Sequence, residues 1–184
     1  MKTQFLSHSI AFLIGILLVL ALISLSPDFA STLLPNSSLV QPIFSPGSEK
    51  EIISLINSAS SSVDVEVYTF TNRNIADALI NASERGIQVR VILESRLVNP
   101  KYNQDTARYL SANGVQVRFA SPKYALTHSK LMIIDGKKVL VGSINFSNNA
   151  VLKNREAAAV IYGPAVAQYA EIFKQDWEDA LEID

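Results

Sequence analysis

The residues best equipped for chemistry lie between His128 and Glu156. His128 and Lys130 are two apart, followed by Asp135, Gly142-Ser143, Asn145 and finally Glu156. An imidazole beside an ammonium suits a nucleophile or acid–base group next to a bound anion. On a strand, both side chains would point to one face. Gly142-Ser143-Ile144-Asn145 begins a turn whose small residues let backbone and amide donors approach a ligand closely. Glu156 opens the next strand, where it can accept from the second ring nitrogen of His128 and so set its tautomer and orientation. Taken singly, each residue also has a structural reading. A lone strand histidine is commonly structural, Lys130 alone would be a solvated cation, and Asn145 a loop polar group. Asp135 could be only the first residue of an Asp135-Gly136 hairpin turn.

The elements that must hold these residues are legible in the hydrophobic pattern. A strand is expected over Ser38–Phe44, then a turn at Ser45-Pro46-Gly47. Ser48 with Glu51 has the spacing of a capping box, opening a helix with apolar positions Ile52, Ile53, Leu55, Ile56 and Ala59. Val63–Thr71 alternates with period two, with Val63, Val65 and Val67 on one face and Asp64, Glu66 and Tyr68 on the other. On that polar face, Glu66 and Tyr68 either line a substrate groove or serve structure. Asn74 is placed to cap a second helix ending at Arg85-Gly86. A strand follows over Ile87–Leu93, a helix over Gln104–Ala112, and a strand over Val115–Phe119. Lys130–Ile134 and Lys138–Val141 form a hairpin, Glu156–Tyr162 is a last strand, and Gly163-Pro164 opens a closing helix through Trp177. Alternating strands and helices predict an α/β fold, a mixed sheet with helices on both faces. No internal repeat is visible.

Composition narrows the chemistry. There is no cysteine, hence no thiol nucleophile, disulfide or cysteine-ligated zinc. The second histidine, His8, lies within an N-terminal apolar stretch. Two histidines leave little for a catalytic transition metal, so no metal and no cofactor are expected. From Lys101 to Lys153 there are eight Lys/Arg against Asp105 and Asp135, while Asp176, Glu178, Asp179, Glu182 and Asp184 crowd the C-terminus. A basic middle suits an anionic substrate, and the acidic tail reads as a solvated helix face.

Residues 1–26 read as a membrane anchor or a signal peptide, 27–37 as a linker and 38–184 as the catalytic domain. Ile10–Leu25 is uncharged over sixteen residues. That falls between a signal core and the roughly 20 residues of a spanning helix. Pro27 and Asp28 spoil a cleavage site, which favours an uncleaved single span. Lys2 before the run then places the domain on the extracytoplasmic side, or leaves it secreted or periplasmic if the run is removed.

Together the residues form a recognisable pattern. H-x-K, four residues, D, six residues, G-S-x-N, followed by Glu156, resembles the signature of the phospholipase D superfamily. The likeness extends upstream through Phe44-Ser45-Pro46, Tyr68-Thr69-Phe70-Thr71 and Arg85-Gly86-Ile87, and covers about residues 40 to 180. It implies a sandwich fold of the phospholipase D/nuclease type and metal-free covalent catalysis. His128 would attack phosphorus, Lys130, Ser143 and Asn145 would hold phosphate oxygens, and Glu156 would orient His128. Asp135 and Gly142 would serve structure. The second histidine this chemistry requires implies a homodimer with one composite site. Small family members resemble either non-specific endonucleases, which the Phe-Ser-Pro and Tyr-Thr-Phe-Thr stretches favour, or membrane-anchored phospholipid (including cardiolipin) hydrolases. Nucleic acid is therefore the expected partner and phospholipid the alternative. A membrane-tethered binder without turnover is the reading from another class.

Overall fold

The computed structural model describes residues 15–19, 21 and 39–183. Most of the expected N-terminal anchor and linker lies outside the described residues. Among those described, no helix is long and apolar enough to cross a membrane.

Eight strands form one mixed sheet: β1 (Leu39–Ser45), β2 (Ser62–Val67), β3 (Gln88–Leu93), β4 (Gln116–Phe119), β5 (Lys130–Ile134), β6 (Lys138–Gly142), β7 (Glu156–Tyr162) and β8 (Leu181–Glu182), ordered β1-β7-β6-β5-β2-β3-β4-β8. β2, β3 and β4 run parallel, and the remaining neighbours are antiparallel. The helices are α1 (Glu49–Asn57), α2 (Arg73–Glu84), α3 (Lys101–Ala112), the short α4 (Asn148–Leu152) and α5 (Ala165–Asp179). The mixed α/β fold with helices on both faces is the one the pattern predicts.

Two cores flank the sheet. On one face Ile52, Ile56, Ile75, Leu79 and Leu110 of α1 to α3 pack on Val63, Val65, Val67, Val91, Met132 and Ile134. On the other, Val166 and Phe173 of α5 pack on Ile92, Leu131, Ile133 and Val139. Burial of this apolar surface is the main force holding helices to sheet.

Several local expectations change. Ser48 has helical backbone angles and makes no side-chain cap; its hydroxyl lies 2.6 Å from the Ser45 hydroxyl, buried under the sheet end. Asn72, not Asn74, caps α2, accepting from the Ile75 N–H at 2.9 Å. β2 stops at Val67, four residues short of its alternating pattern. Beyond it side-chain amides replace the strand ladder: Asn103 accepts from the Phe70 N–H at 2.9 Å and donates to the Tyr68 carbonyl at 2.7 Å. α3 begins at Lys101 rather than Gln104, directly after Pro100. α4 and β8 carried too few residues to show a period in the sequence.

Candidate active site

The functional residues collect at one end of the sheet. Lys130 starts β5 opposite Val67, the last residue of β2. Gly142 ends β6, and Glu156 starts β7 opposite Ser45, the last residue of β1. Strand register alone therefore converges the two halves of the motif.

His128 precedes the ladder of β5 rather than belonging to it, and it is exposed. The loop that leads to it is clamped from behind. Glu94, fully buried after β3, accepts from the Thr127 N–H at 2.7 Å and from Arg96 at 2.7 and 2.8 Å. Arg96 in turn donates to the carbonyls of Tyr124 and Ser121. Burial alone would raise the Glu94 pKa, but the Arg96 guanidinium and the Thr127 N–H outweigh it and hold the carboxylate ionised. Sequence reasoning missed Glu94, Arg96 and Asn103. Isolated polar residues after a strand or at the start of a helix carry no periodic signal.

Lys130 is 8 % exposed, and its ammonium lies 3.0 Å from His128 Nδ1 while donating to the His128 carbonyl at 2.5 Å. Burial lowers its pKa, and the charge of Glu156 acts against that shift. The Tyr68 ring packs on the imidazole at 4.5 Å between centroids and lies 5.1 Å from the ammonium. Tyr68 thus belongs to the site, whereas Asp64 and Glu66, the other two residues on its expected polar face, are buried.

Asn145 is held by two laced loops. Phe70 and Phe146 are buried edge to face at 5.3 Å, and the Phe146 carbonyl accepts from the N–H groups of Thr71 and Asn72. Between these anchors Asn145 Oδ1 accepts from the Thr69 N–H at 3.2 Å, which commits the oxygen and leaves the Nδ2 donor for a ligand.

Glu156 does not take the orienting position expected of it. Its carboxylate accepts from the Ser143 hydroxyl and from Asn154 Nδ2 at 3.2 Å, while Lys130 stands on His128 Nδ1. The cause is register: Gly142 pairs with Ala158, so Ser143 falls beside Glu156. With Lys130 charged, its ammonium can only donate to Nδ1, which would put the imidazole proton on Nε2, the tautomer opposite to the one a Glu156 acceptor would impose.

Gly142 also serves the sheet rather than a ligand. A Cβ there would stand 2.5 Å from Ala158 Cα and 2.7 Å from Ala158 Cβ. Asp135 lies at the far end of β5. With φ of 55° it forms the hairpin turn with Gly136, φ 63°. Its carboxylate accepts from the N–H groups of Ser60, Ser61 and Ser62 and from the hydroxyls of Ser60 and Ser61, at 2.7–3.1 Å. Burial would raise its pKa, but these donors hold it well below the usual aspartate range.

Half of the eight cations of the middle segment pair with acids within the fold. Lys101 and Arg108 pair Asp105, Arg118 pairs Glu182, and Lys123 pairs Asp179. At the site's rim, Lys153 and Arg155 precede Glu156 and are exposed.

An exposed histidine, a half-buried ring beside it, a lysine and a primary amide around one point form a site for a tetrahedral anion. Comparison with known proteins agrees. Residues 52–177 match the family described as cardiolipin synthase, PLD-like domain. A phospholipase D of Rickettsia conorii is 30% identical over 197 residues, spanning 96% of this chain and 94% of that protein. A mitochondrial cardiolipin hydrolase of Chlamydomonas reinhardtii is 30% identical over 72% of this chain and 59% of its own length. The crystal structure of Nuc from Salmonella typhimurium, a phospholipase D family member, superposes with a TM-score of 0.74 at 28% identity, covering 80% of this chain and 99% of that one. The chain belongs to the phospholipase D superfamily. Its class of chemistry is phosphodiester hydrolysis.

Proposed function

We propose that this protein is a metal-independent phosphodiesterase that works through a phosphohistidine in a homodimeric site, with the nucleic-acid backbone as substrate. The observation that carries the chemistry is the exposed His128 imidazole with Lys130 Nζ 3.0 Å away at the same sheet end as Asn145. A phosphodiester oxygen would draw Lys130 from Nδ1, freeing the ring to carry its proton there and to attack through Nε2. The N–P bond forms as the P–O bond to the leaving alcohol breaks. Among the described residues His128 is the sole histidine, so the alcohol's proton is assigned to the partner's His128 across a two-fold axis. That same group then takes a proton from water, whose attack on phosphorus breaks the N–P bond. Lys130, Asn145 and Ser143 neutralise the non-bridging oxygens.

Nucleic acid is supported by the rim. Phe44, 49 % exposed, pairs with Ala157 beside Glu156, and the Arg155 guanidinium lies 5.0 Å from its ring. An exposed aromatic beside a cation, a few residues from the phosphate site, suits base stacking along a single strand. A second reading, phospholipid hydrolysis, is favoured by a groove of about 600 Å³ beside His128 and Lys130, with Leu131, Val141, Ile161, Tyr169 and Ile172 among its walls. It agrees with the names of the phospholipase D and cardiolipin hydrolase relatives. The apolar run before residue 26 supports a single-span anchor with the domain extracytoplasmic, or secretion if it is cleaved. N-terminal sequencing of the mature protein decides between these two.

The test is incubation of the full-length protein with plasmid DNA, RNA and phospholipid vesicles, each with chelator. The expected result is DNA or RNA cleavage that resists chelator and falls steeply with salt. Release of phosphatidic acid alone would assign the lipid reading. A folded dimer that turns over none of these would overturn both, and full activity from a proven monomer would overturn the composite site.

A further inference from the structure

Directly behind the His128 segment lies a pair of acids, one buried and one half-buried, that the proposed chemistry does not use. Glu66 of β2 is 2 % exposed and sits between Ile92 of β3 and Leu131 of β5. It is covered by α5, whose Asp176 carboxyl faces it. Both line a void of about 10 Å³ together with Ser121, Tyr124 and Thr127. As a carboxylate, Glu66 leaves Oε2 buried with no hydrogen-bond partner. A proton shared with Asp176 would relieve both the orphan atom and the repulsion of two acids. The hydroxyl of Ser129, the residue between His128 and Lys130, is near enough to Glu66 to favour its carboxylate form.

The surrounding charges do not supply another solution. On β2 and β3, Asp64 and Arg90 satisfy each other at 2.7 and 2.9 Å. Glu94 is closed by Arg96. From the loop after β4, Tyr124 offers a phenol, and Lys123, the cation that reaches Asp176, already pairs Asp179 of α5 at 2.8 Å. Asp179 adds negative charge to the pair.

We propose that Glu66 and Asp176 share a single proton and act as a positioning device, holding the His128–Lys130 segment through Ser129 while α5 stays seated on the sheet. Loss of that proton to solvent puts two negative charges under α5, and their repulsion shifts Glu66, against which the Ser129 segment is held. Glu66 is thus a positioning residue for the reaction, and the proposal rests on the His128 reading above. Burial first, then the Asp176 charge, raises its pKa from 4.5 to about 7, against the bond from Ser129. The sign follows: the folded state holds the proton longer than the unfolded chain. The stabilising contribution is whole below about pH 4.5 and lost as pH rises towards 7.

The test compares the full-length wild type with Glu66→Gln, whose amide is neutral at every pH and still donates to Asp176. With bis(p-nitrophenyl) phosphate as substrate, the ratio of the variant's kcat to the wild type's should rise about tenfold from pH 6 to pH 8.5, with KM changing less than about twofold. In a Ser129→Ala background that rise should vanish. Melting temperature should fall from pH 5 to pH 7 in the wild type relative to Glu66→Gln. Parallel kcat profiles would overturn the positioning role, a rise that persists without Ser129 would overturn its route, and parallel melting curves would overturn the shared proton. Should the wild type leave the diester intact, the His128 reading fails by itself. The pair is then judged by melting alone, where parallel curves for the wild type and Glu66→Gln would overturn it.

Discussion

The two ends of β5 carry residues of the same sequence signature and are built to opposite rules. At the N-terminal end His128 and Lys130 contact each other, His128 is exposed, and Asn145 has an amide donor uncommitted. At the C-terminal end Asp135 is saturated by the N–H groups and hydroxyls of the Ser60–Ser62 segment. A saturated carboxylate can fasten a turn but has nothing left for a substrate, whereas an under-satisfied cluster awaits one. Membership of a signature therefore does not reveal whether a residue reacts or builds.

This contrast can be broken by exchange of effects. The largest is expected for His128→Ala: kcat should fall at least about 10³-fold with the melting temperature within roughly a degree, because the exposed ring contributes little packing. An active His128→Ala protein would remove the nucleophile from the account. Asp135→Ala should show the converse. Losing the acceptor of these hydrogen bonds should cost about 2–4 kcal/mol and lower the melting temperature by roughly 10 °C, with kcat of the folded fraction within twofold. A stable but inactive Asp135→Ala protein would place that residue with the site after all.

Acid sharpens the same point. The Asp135 carboxyl is depressed in the folded state, so its stabilisation is present above the unfolded value of 3.8 and lost as pH falls below it. Urea titrations should show the advantage of wild type over Asp135→Asn shrinking below about pH 4. Gly142→Ala spans both ends. Its Cβ would collide with Ala158, so roughly 1–3 kcal/mol of stability should be lost, together with activity, as Ser143 and Asn145 are displaced. The smallest effect belongs to the rim. Phe44→Ala should raise KM for single-stranded DNA about tenfold while leaving bis(p-nitrophenyl) phosphate unaffected, and an equal effect on both substrates would contradict a stacking role.

Much of this was legible beforehand. Lys130–Ile134 and Glu156–Tyr162 have the strand bounds their apolar runs and flanking turns predict, and the mixed α/β order follows from the sequence of periods. The His128, Lys130 and Asn145 cluster was likewise predictable, because a single hairpin and its neighbouring strand carry it. Residues whose partner is distant in sequence were less legible. Asp64 and Glu66 alternate with valines on a polar face for which a groove or a structural role stayed open; both are buried, Asp64 paired with Arg90 of β3 and Glu66 facing Asp176 of α5. The basic middle looked like a binding surface, yet four of its cations pair with acids, two of them in the C-terminal segment.

By itself the sequence indicated most of the elements, the superfamily and the candidate site residues, because periodicity, turn chemistry and motif spacing are local properties. Tertiary structure decided which polar groups are spoken for. It gave Glu156 to Ser143 and Asn154, His128 Nδ1 to Lys130, and the Ser60–Ser62 donors to Asp135. A hydrogen bond is a pairing of two groups in space, and only the packed chain brings both to the same place.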